Sequence, residues 1–225
     1  MGLGNEPCIR QEVCRIGKLL HERGYVAATD GNISVRLTQN TVLCTPTSIS
    51  KGMMQPEDLV VVDMDGHQKD GARHPSTELG MHLLFYCLRP DIRAVVHAHP
   101  PTATGFAAAG ISLEEPLVAE VVTAFGKIPL ARYGMPGTQE LANGLHPLVP
   151  KHDAILMEHH GVVTCGHDLL KAYMNMESVE HCAKIALVAR QLGPTHPIPV
   201  EEVRKLMEAR QSYEANKVPV SVEWD

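Results

Sequence analysis

The sequence predicts an α/β fold of the α+β type: three α-β-α layers around a mixed, largely antiparallel sheet, with residues 1–225 as one domain. Three observations carry this expectation. Strand-like and helix-like segments are intermixed along the chain, without the strict alternation that an all-parallel sheet requires. The 225 residues, 44% of them hydrophobic, suffice for one sizeable core. No Ser/Gly-rich linker, charge block, low-complexity stretch or internal repeat divides the chain.

Residues 6–23 carry Ile9, Val13, Ile16, Leu19 and Leu20 at helical spacing, and Gly24 supplies a stop. After a Gly-Asn turn at 31–32, Ile33–Leu37 alternates as a strand. Thr41–Thr45 and Leu59–Met64 read as two more strands, the second leading into an Asp65-Gly66 turn. A helix is expected from Ser76 to Leu88, with Ser76 as its N-cap behind Pro75. Ile92–Ala98 is a buried strand by its run of apolar and β-branched residues, and Pro101–Ala109 is a short helix. A strand near 128–131 and a helix near 138–146 follow. Ala154–Glu158 and Val162–Cys165 read as paired strands around His159-His160-Gly161. Asp168 caps a long helix to Leu192, which Gly193-Pro194 ends, and a last helix occupies 200–216.

Composition narrows the function. The formal charge is -6 and the sequence pI about 6.1, with Lys and Arg scattered rather than gathered on a basic face. Nucleic-acid binding is therefore not expected, although a local positive site for an anionic substrate is compatible with that balance. No apolar run reaches the roughly 18 residues of a membrane span, and Met1–Arg10 lacks the basic-then-apolar pattern of a signal peptide. The expectation is a soluble cytoplasmic protein without a membrane partner. Six widely spaced cysteines form no Cys-x-x-Cys pair and read as reduced, several of them as small core hydrophobes. The 13 histidines are more informative, because they cluster.

His97-Ala98-His99 ends the strand Ala94-Val95-Val96. Side chains two apart on a strand share a face, so both imidazoles can approach one point from a rigid element. Imidazole is the commonest protein ligand for zinc and related metals; two hydrogen-bonded histidines at a strand end would be the alternative. Glu158-His159-His160-Gly161 offers a third candidate at a bend between strands, where only one of two adjacent histidines can readily face a given site. Glu78, on the first turn of the helix from Ser76, is a fourth. His82 lies one turn on and could orient its carboxylate, or the two could form an ordinary helix-surface pair. Three imidazoles with one displaceable carboxylate suit a catalytic zinc with a position to open for substrate.

At these residues the sequence resembles the class II aldolase/adducin family over nearly its whole length. The resemblance runs in order through Asp30-Gly31-Asn32-Ile33-Ser34-Val35-Arg36, Thr45-Pro46-Thr47, Pro75-Ser76-Thr77-Glu78, His97-Ala98-His99, Gly137-Thr138-Gln139-Glu140-Leu141 and His159-His160-Gly161. Each motif alone is weak; the ordered set is specific. Within the family the likeness is greatest to the branch that cleaves L-fuculose 1-phosphate. The resemblance implies one divalent ion per subunit, zinc foremost with manganese or cobalt as alternatives, held by Glu78, His97, His99 and His160. It implies that Asn32, Thr47, Ser48, Ser76 and Thr77 surround a substrate phosphate, where amide, hydroxyl and helix N-terminal N–H groups would donate to the anion. It also implies a homotetramer with active sites at subunit interfaces.

The implied reaction is cleavage of a ketose 1-phosphate to dihydroxyacetone phosphate and an aldehyde through a metal-stabilised enediolate, Glu78 moving the proton. The aldehyde oxygen needs a second proton-transfer group, and Tyr213 matches the family's C-terminal tyrosine; a tyrosine packed at an interface is the alternative. This chain departs from the fuculose-phosphate branch in two places. Val118-Ala119-Glu120 stands where that branch has a tyrosine, and Ser48 replaces a phosphate-loop glycine. Nearby Lys51 could attract an anion or simply be solvated. The family also holds sugar-phosphate 4-epimerases, dehydratases, decarboxylases and the non-catalytic adducin head. An acidic residue of the epimerases falls at Val122 here, and the retained Glu and three His argue against the adducin-like module.

Overall fold

The computed structural model describes residues 6–215, with side chains as far as 210. In chain order its elements are α1 (Glu6–Glu22), β1 (Asn32–Arg36), β2 (Thr41–Cys44), a 3-10 turn (Pro56–Asp58), β3 (Val60–Asp63), β4 (Gln68–Asp70), α2 (Leu79–Leu88), β5 (Ala94–Ala98), α3 (Pro101–Ala108), α4 (Ala119–Phe125), β6 (Leu130–Ala131), α5 (Gln139–Leu145), β7 (Ala154–Met157), β8 (Gly161–Gly166), α6 (Leu169–Leu192) and α7 (Val200–Ala215). The eight strands form one sheet in the order β4-β3-β2-β1-β5-β8-β7-β6. Every pairing is antiparallel except β6 with β7. The mixed, largely antiparallel sheet expected from the sequence is the one observed.

Helices cover both faces. Val13, Ile16 and Leu20 of α1 and Ala172, Met176, Val179 and Ala183 of α6 pack on Ile33, Val35, Val96 and Leu156. Leu79, Leu83 and Phe85 of α2 and Leu141 and Leu145 of α5 pack on Val60, Val62, Val95, Ile155 and Val163 from the other side. Neighbours Val95 and Val96 thus feed opposite cores, as the two-residue period of a strand buried on both faces demands. Each such side chain, fully buried, contributes about 1.5–3 kcal/mol relative to exposure.

Three local expectations need correction. The α2 helix begins at Leu79, not Ser76, because the Pro75–Thr77 stretch is spent on pairing with the β2 exit: Ser76 N–H donates to the Thr45 carbonyl (3.2 Å), and Pro46 bridges Pro75. Glu78 is therefore the helix N-cap position, while Ser76 accepts the Glu78 and Leu79 N–H groups through its hydroxyl (3.3 Å) and carbonyl (3.1 Å). Strand β4 and helix α4 were not anticipated. The Gln-Lys-Asp of β4 is an exposed edge with no apolar alternation, and α4 is only seven residues long. No helix among the described residues is long and apolar enough to cross a membrane.

Candidate metal centre

The site lies where β1, β5, the β7–β8 connection and the start of α2 meet. His97 sits on central strand β5, directly opposite Asn32 of β1 and Val163 of β8, and is fully buried. His99 follows the strand end, its backbone N–H bonded to the Tyr25 carbonyl (2.8 Å). Just beyond it, α3 is anchored by buried Glu180 of α6, whose carboxylate accepts the N–H groups of Thr102 (3.1 Å) and Ala103 (2.9 Å). The third imidazole comes from the three-residue loop between Met157 and Gly161. There His159 takes the left-handed conformation (φ 55°) and is exposed, and this turns His160 inward. Gly161 provides room: a Cβ there would lie 2.6 Å from His99 Cδ2 and 2.7 Å from the Ala98 carbonyl oxygen.

The ligand-capable nitrogens of His97, His99 and His160 all lie within 4.8 Å of one another. His97 donates Nδ1–H to the Val162 carbonyl (2.9 Å), and Asp30 Oδ2 stands 3.6 Å from His99 Nδ1. His97 thus turns its bare Nε2 lone pair toward the cluster, 3.1 Å from His99 Nε2. Nitrogen ligands about 2.0–2.1 Å from one tetrahedral ion would be about 3.3 Å apart. Glu78 completes the set: Oε1 is 3.0 Å from His160 Nε2 and Oε2 is 3.4 Å from His97 Nε2. Oε1 is buried yet makes no directed hydrogen bond, whereas Oε2 accepts from the Asn32 amide (2.8 Å).

Protonation states agree with this fit. Burial would raise the Glu78 carboxyl, but His160, His97 and Asn32 outweigh it and hold it well below the usual carboxylate range. Burial pushes His97 and His99 down. An ionised carboxylate beside neutral imidazoles is the combination a divalent ion requires. The donor set and its spacing fit one such ion.

Thr47, Ser48, Ser76 and Thr77, four of the expected anion groups, sit on two adjoining segments, the second of which leads into Glu78. Besides the Ser76–Thr45 bond, Thr47 N–H donates to the His74 carbonyl (3.0 Å), so the Thr45–Ser48 loop and the Pro75–Thr77 turn lie side by side. Ser48 and Thr77 are exposed and Thr47 half-buried. The Glu78 and Leu79 N–H groups, counted on as anion donors, are spent on Ser76, which leaves the hydroxyls as the chief donors. Next to Thr77 and Glu78, a cavity of about 180 Å³ is bounded by Gly137 and Thr138. Asn32 is only partly available, since its amide serves Glu78 and His82. Tyr213 falls on α7, and its side chain lies outside the described residues.

Two features escaped the sequence reading. Lys51 is not solvated but buried (2% exposed), its ammonium donating to the Thr29 (2.8 Å) and Ile49 (2.7 Å) carbonyls and so joining the Asp30 loop to the anion loop. Burial lowers it to about 8. Ser34 and Tyr86 lie behind Asn32 in a buried polar row with His82. The polar alternation Asn32, Ser34, Arg36 on a strand buried at every position was the available signal.

The family described as "Class II Aldolase and Adducin N-terminal domain" matches residues 11–187. The 5-deoxy-D-ribulose 1-phosphate aldolase of Bacillus thuringiensis serovar kurstaki is 32% identical over 206 residues, covering 91% of this chain and 96% of the relative. The 3-oxo-tetronate 4-phosphate decarboxylase of Escherichia coli K12 is 34% identical over 187 residues, 81% of this chain and 88% of the relative. A solved L-fuculose 1-phosphate aldolase superposes with a TM-score of 0.84 at 33% identity, covering 90% of this chain and 95% of that one.

Proposed function

The chain belongs to the class II aldolase and adducin family, and from that premise we propose that it is a metal-dependent lyase that cleaves a ketose 1-phosphate to dihydroxyacetone phosphate and an aldehyde. The observation that carries the reading is the Glu78 carboxylate, half tied to Asn32 and half free among three converging imidazoles. When bound by Glu78, His97, His99 and His160, a divalent ion, with zinc proposed ahead of manganese and cobalt, supplies Lewis-acid polarisation of substrate oxygens.

The protein's own groups do the rest. Hydroxyls of Thr47, Ser48, Ser76 and Thr77 and the spare Asn32 N–H hold the phosphate, and the Lys51 charge beneath the loop favours an anion there. In the bond-forming direction, Glu78 Oε1 takes a proton from the hydroxymethyl carbon of dihydroxyacetone phosphate. The electron pair left behind attacks the aldehyde carbon, and the resulting alkoxide takes a proton from a second group, for which Tyr213 is proposed. Cleavage runs the same steps backwards. Leu170, Met174, Leu187 and Val188 expose apolar surface along α6, which supports assembly, and a homotetramer with sites at its interfaces in the cytoplasm is proposed.

A decarboxylase is the second reading, favoured by the 34% identical E. coli relative. Loss of carbon dioxide from a 3-oxo acid phosphate generates the same electron pair next to the same carbonyl, without an aldehyde oxygen to protonate. The test incubates zinc-loaded protein with L-fuculose 1-phosphate, 5-deoxy-D-ribulose 1-phosphate and 3-oxo-tetronate 4-phosphate. Dihydroxyacetone phosphate and aldehyde in equal amounts, lost on chelation and restored by metal, is the expected result. Carbon dioxide release would establish the second reading, inversion without cleavage would point to an epimerase, and no product from any substrate would sink the proposal.

A further inference from the structure

Helix α2 crosses β1 so that a stripe of period four meets a stripe of period two. Glu78, His82 and Tyr86 advance about 6.0 Å per four residues along the helix line, close to the roughly 6.6 Å per two residues that separates Asn32 from Ser34 on the strand. The match yields a continuous row. Glu78 Oε2 accepts from Asn32 Nδ2 (2.8 Å), Asn32 Oδ1 meets His82 Nε2, His82 Nδ1 meets Ser34 Oγ (2.7 Å), and Ser34 Oγ meets Tyr86 OH (2.8 Å). All members but Glu78 are 4% exposed or less.

The direction of every proton in this row is determined from the Glu78 end. An ionised carboxylate only accepts, so Asn32 must present its NH2 to Glu78 and its carbonyl oxygen to His82. That oxygen also only accepts, so His82 must carry its hydrogen on Nε2. Burial lowers His82 to about 4, so at neutral pH Nδ1 is bare. The Ser34 hydroxyl must then donate to Nδ1 and accept from Tyr86. Each donor points toward Glu78, and such one-way chains strengthen their members.

We propose that His82 is a positioning residue: through its Nε2–H, and with Ser34 and Tyr86 behind it, it locks the Asn32 amide in the one orientation that donates to Glu78. Were the amide free to flip, its carbonyl oxygen would face the carboxylate and repel it, and Oε1 would lose its aim. The catalytic consequence rests on the reading of Glu78 as the proton-transfer group; the tautomer does not.

Two measurements on the full-length, metal-loaded protein test this. Long-range proton–nitrogen spectra of histidine-labelled protein at pH 7, assigned by the signal missing in His82→Gln, should show His82 neutral and protonated on Nε2. A Nδ1–H or imidazolium signal would overturn the proposal whatever the substrate turns out to be. Kinetics form the second arm. His82→Leu should lower kcat about 10–100-fold with KM within about threefold and metal content unchanged. His82→Gln, which keeps an N–H for Asn32, should recover most of the loss. Equal losses in both variants, unchanged kcat in His82→Leu, or loss of metal in place of loss of kcat would each refute it. Should His82→Leu fail to fold, Ser34→Ala substitutes for it, with an expected fall of about three- to tenfold and an unchanged kcat as the refuting result. If wild type turns over none of the sugar phosphates, the functional reading fails while the spectra still decide the tautomer.

Discussion

The two halves of the candidate site are built by opposite means. The imidazole half is anchored at the ends of β5 and β8, central strands paired on both sides: His97 lies on β5 and donates to the Val162 carbonyl, His99 follows just past it beside Asp30, and His160 sits in the short loop before β8. The anion half is carried by loops between elements, exposed at Ser48 and Thr77, and held by a few backbone bonds and one buried ammonium. Rigid placement suits groups that share one ion at fixed distances. A looser cradle suits a phosphate, which tolerates many donor geometries. The sharpest way to break the comparison is to remove a strand ligand: His97→Ala should abolish stoichiometric metal by elemental analysis and lower turnover more than about 100-fold. Retained metal and full activity in that variant would refute the ligand assignment.

Gly161 gives the next effect. In Gly161→Ala the new Cβ would meet the His99 ring and a backbone oxygen, neither of which can retreat cheaply. Overpacking of this kind costs about 1–3 kcal/mol, and displacement of the His99 ring should weaken metal binding about tenfold or more. Metal titration and thermal unfolding check both figures. An unchanged metal affinity would mean that the ligand half is more compliant than the strands suggest.

How far each half was legible follows from the same contrast. His97 and His99 could be read because two residues apart on a strand is a geometric statement in itself. Nothing in that periodicity separated His160 from His159; the left-handed backbone of His159 does so, and only the folded loop shows it. The α2 start was misread because Pro75-Ser76 looks locally like a helix N-terminus, while its backbone is claimed by a non-local partner, Thr45. Lys51 was unreadable, since a lone lysine in a polar loop has no mark of burial. It is covered because α1 lies against it at Gly17, where a Cβ would come 2.8 Å from the Lys51 carbonyl. The row behind Asn32 depends on how α2 crosses β1, a tertiary fact.

Lys51 offers a way to sharpen the comparison from the loop side. Its folded pKa, about 8, is depressed from the usual 10.5 by burial. Between those values the unfolded chain holds more protons, so stability should rise with pH across that window. Affinity for a phosphate substrate should move the other way, KM climbing above pH 8 as the ammonium loses its charge. Lys51→Met should flatten both trends and raise KM about tenfold near pH 7 while leaving kcat within about threefold. A kcat loss with constant KM would instead tie Lys51 to the imidazole half.

The smallest effect belongs to Ser48, which holds φ 58° where the resemblance places a glycine. Ser48→Gly relieves about 1 kcal/mol of left-handed strain but loosens the unfolded chain by a similar amount, so the melting temperature should hardly move. An unchanged KM for the phosphate substrate would leave only the loop's backbone shape and remove Ser48 from the proposed donors. The expected result, a KM rise of about three- to fivefold, marks the serine hydroxyl as a phosphate donor in its own right. The exposed loop would then be as chemically specific as the strands opposite it, and its departure from glycine would be a feature of substrate recognition in this chain.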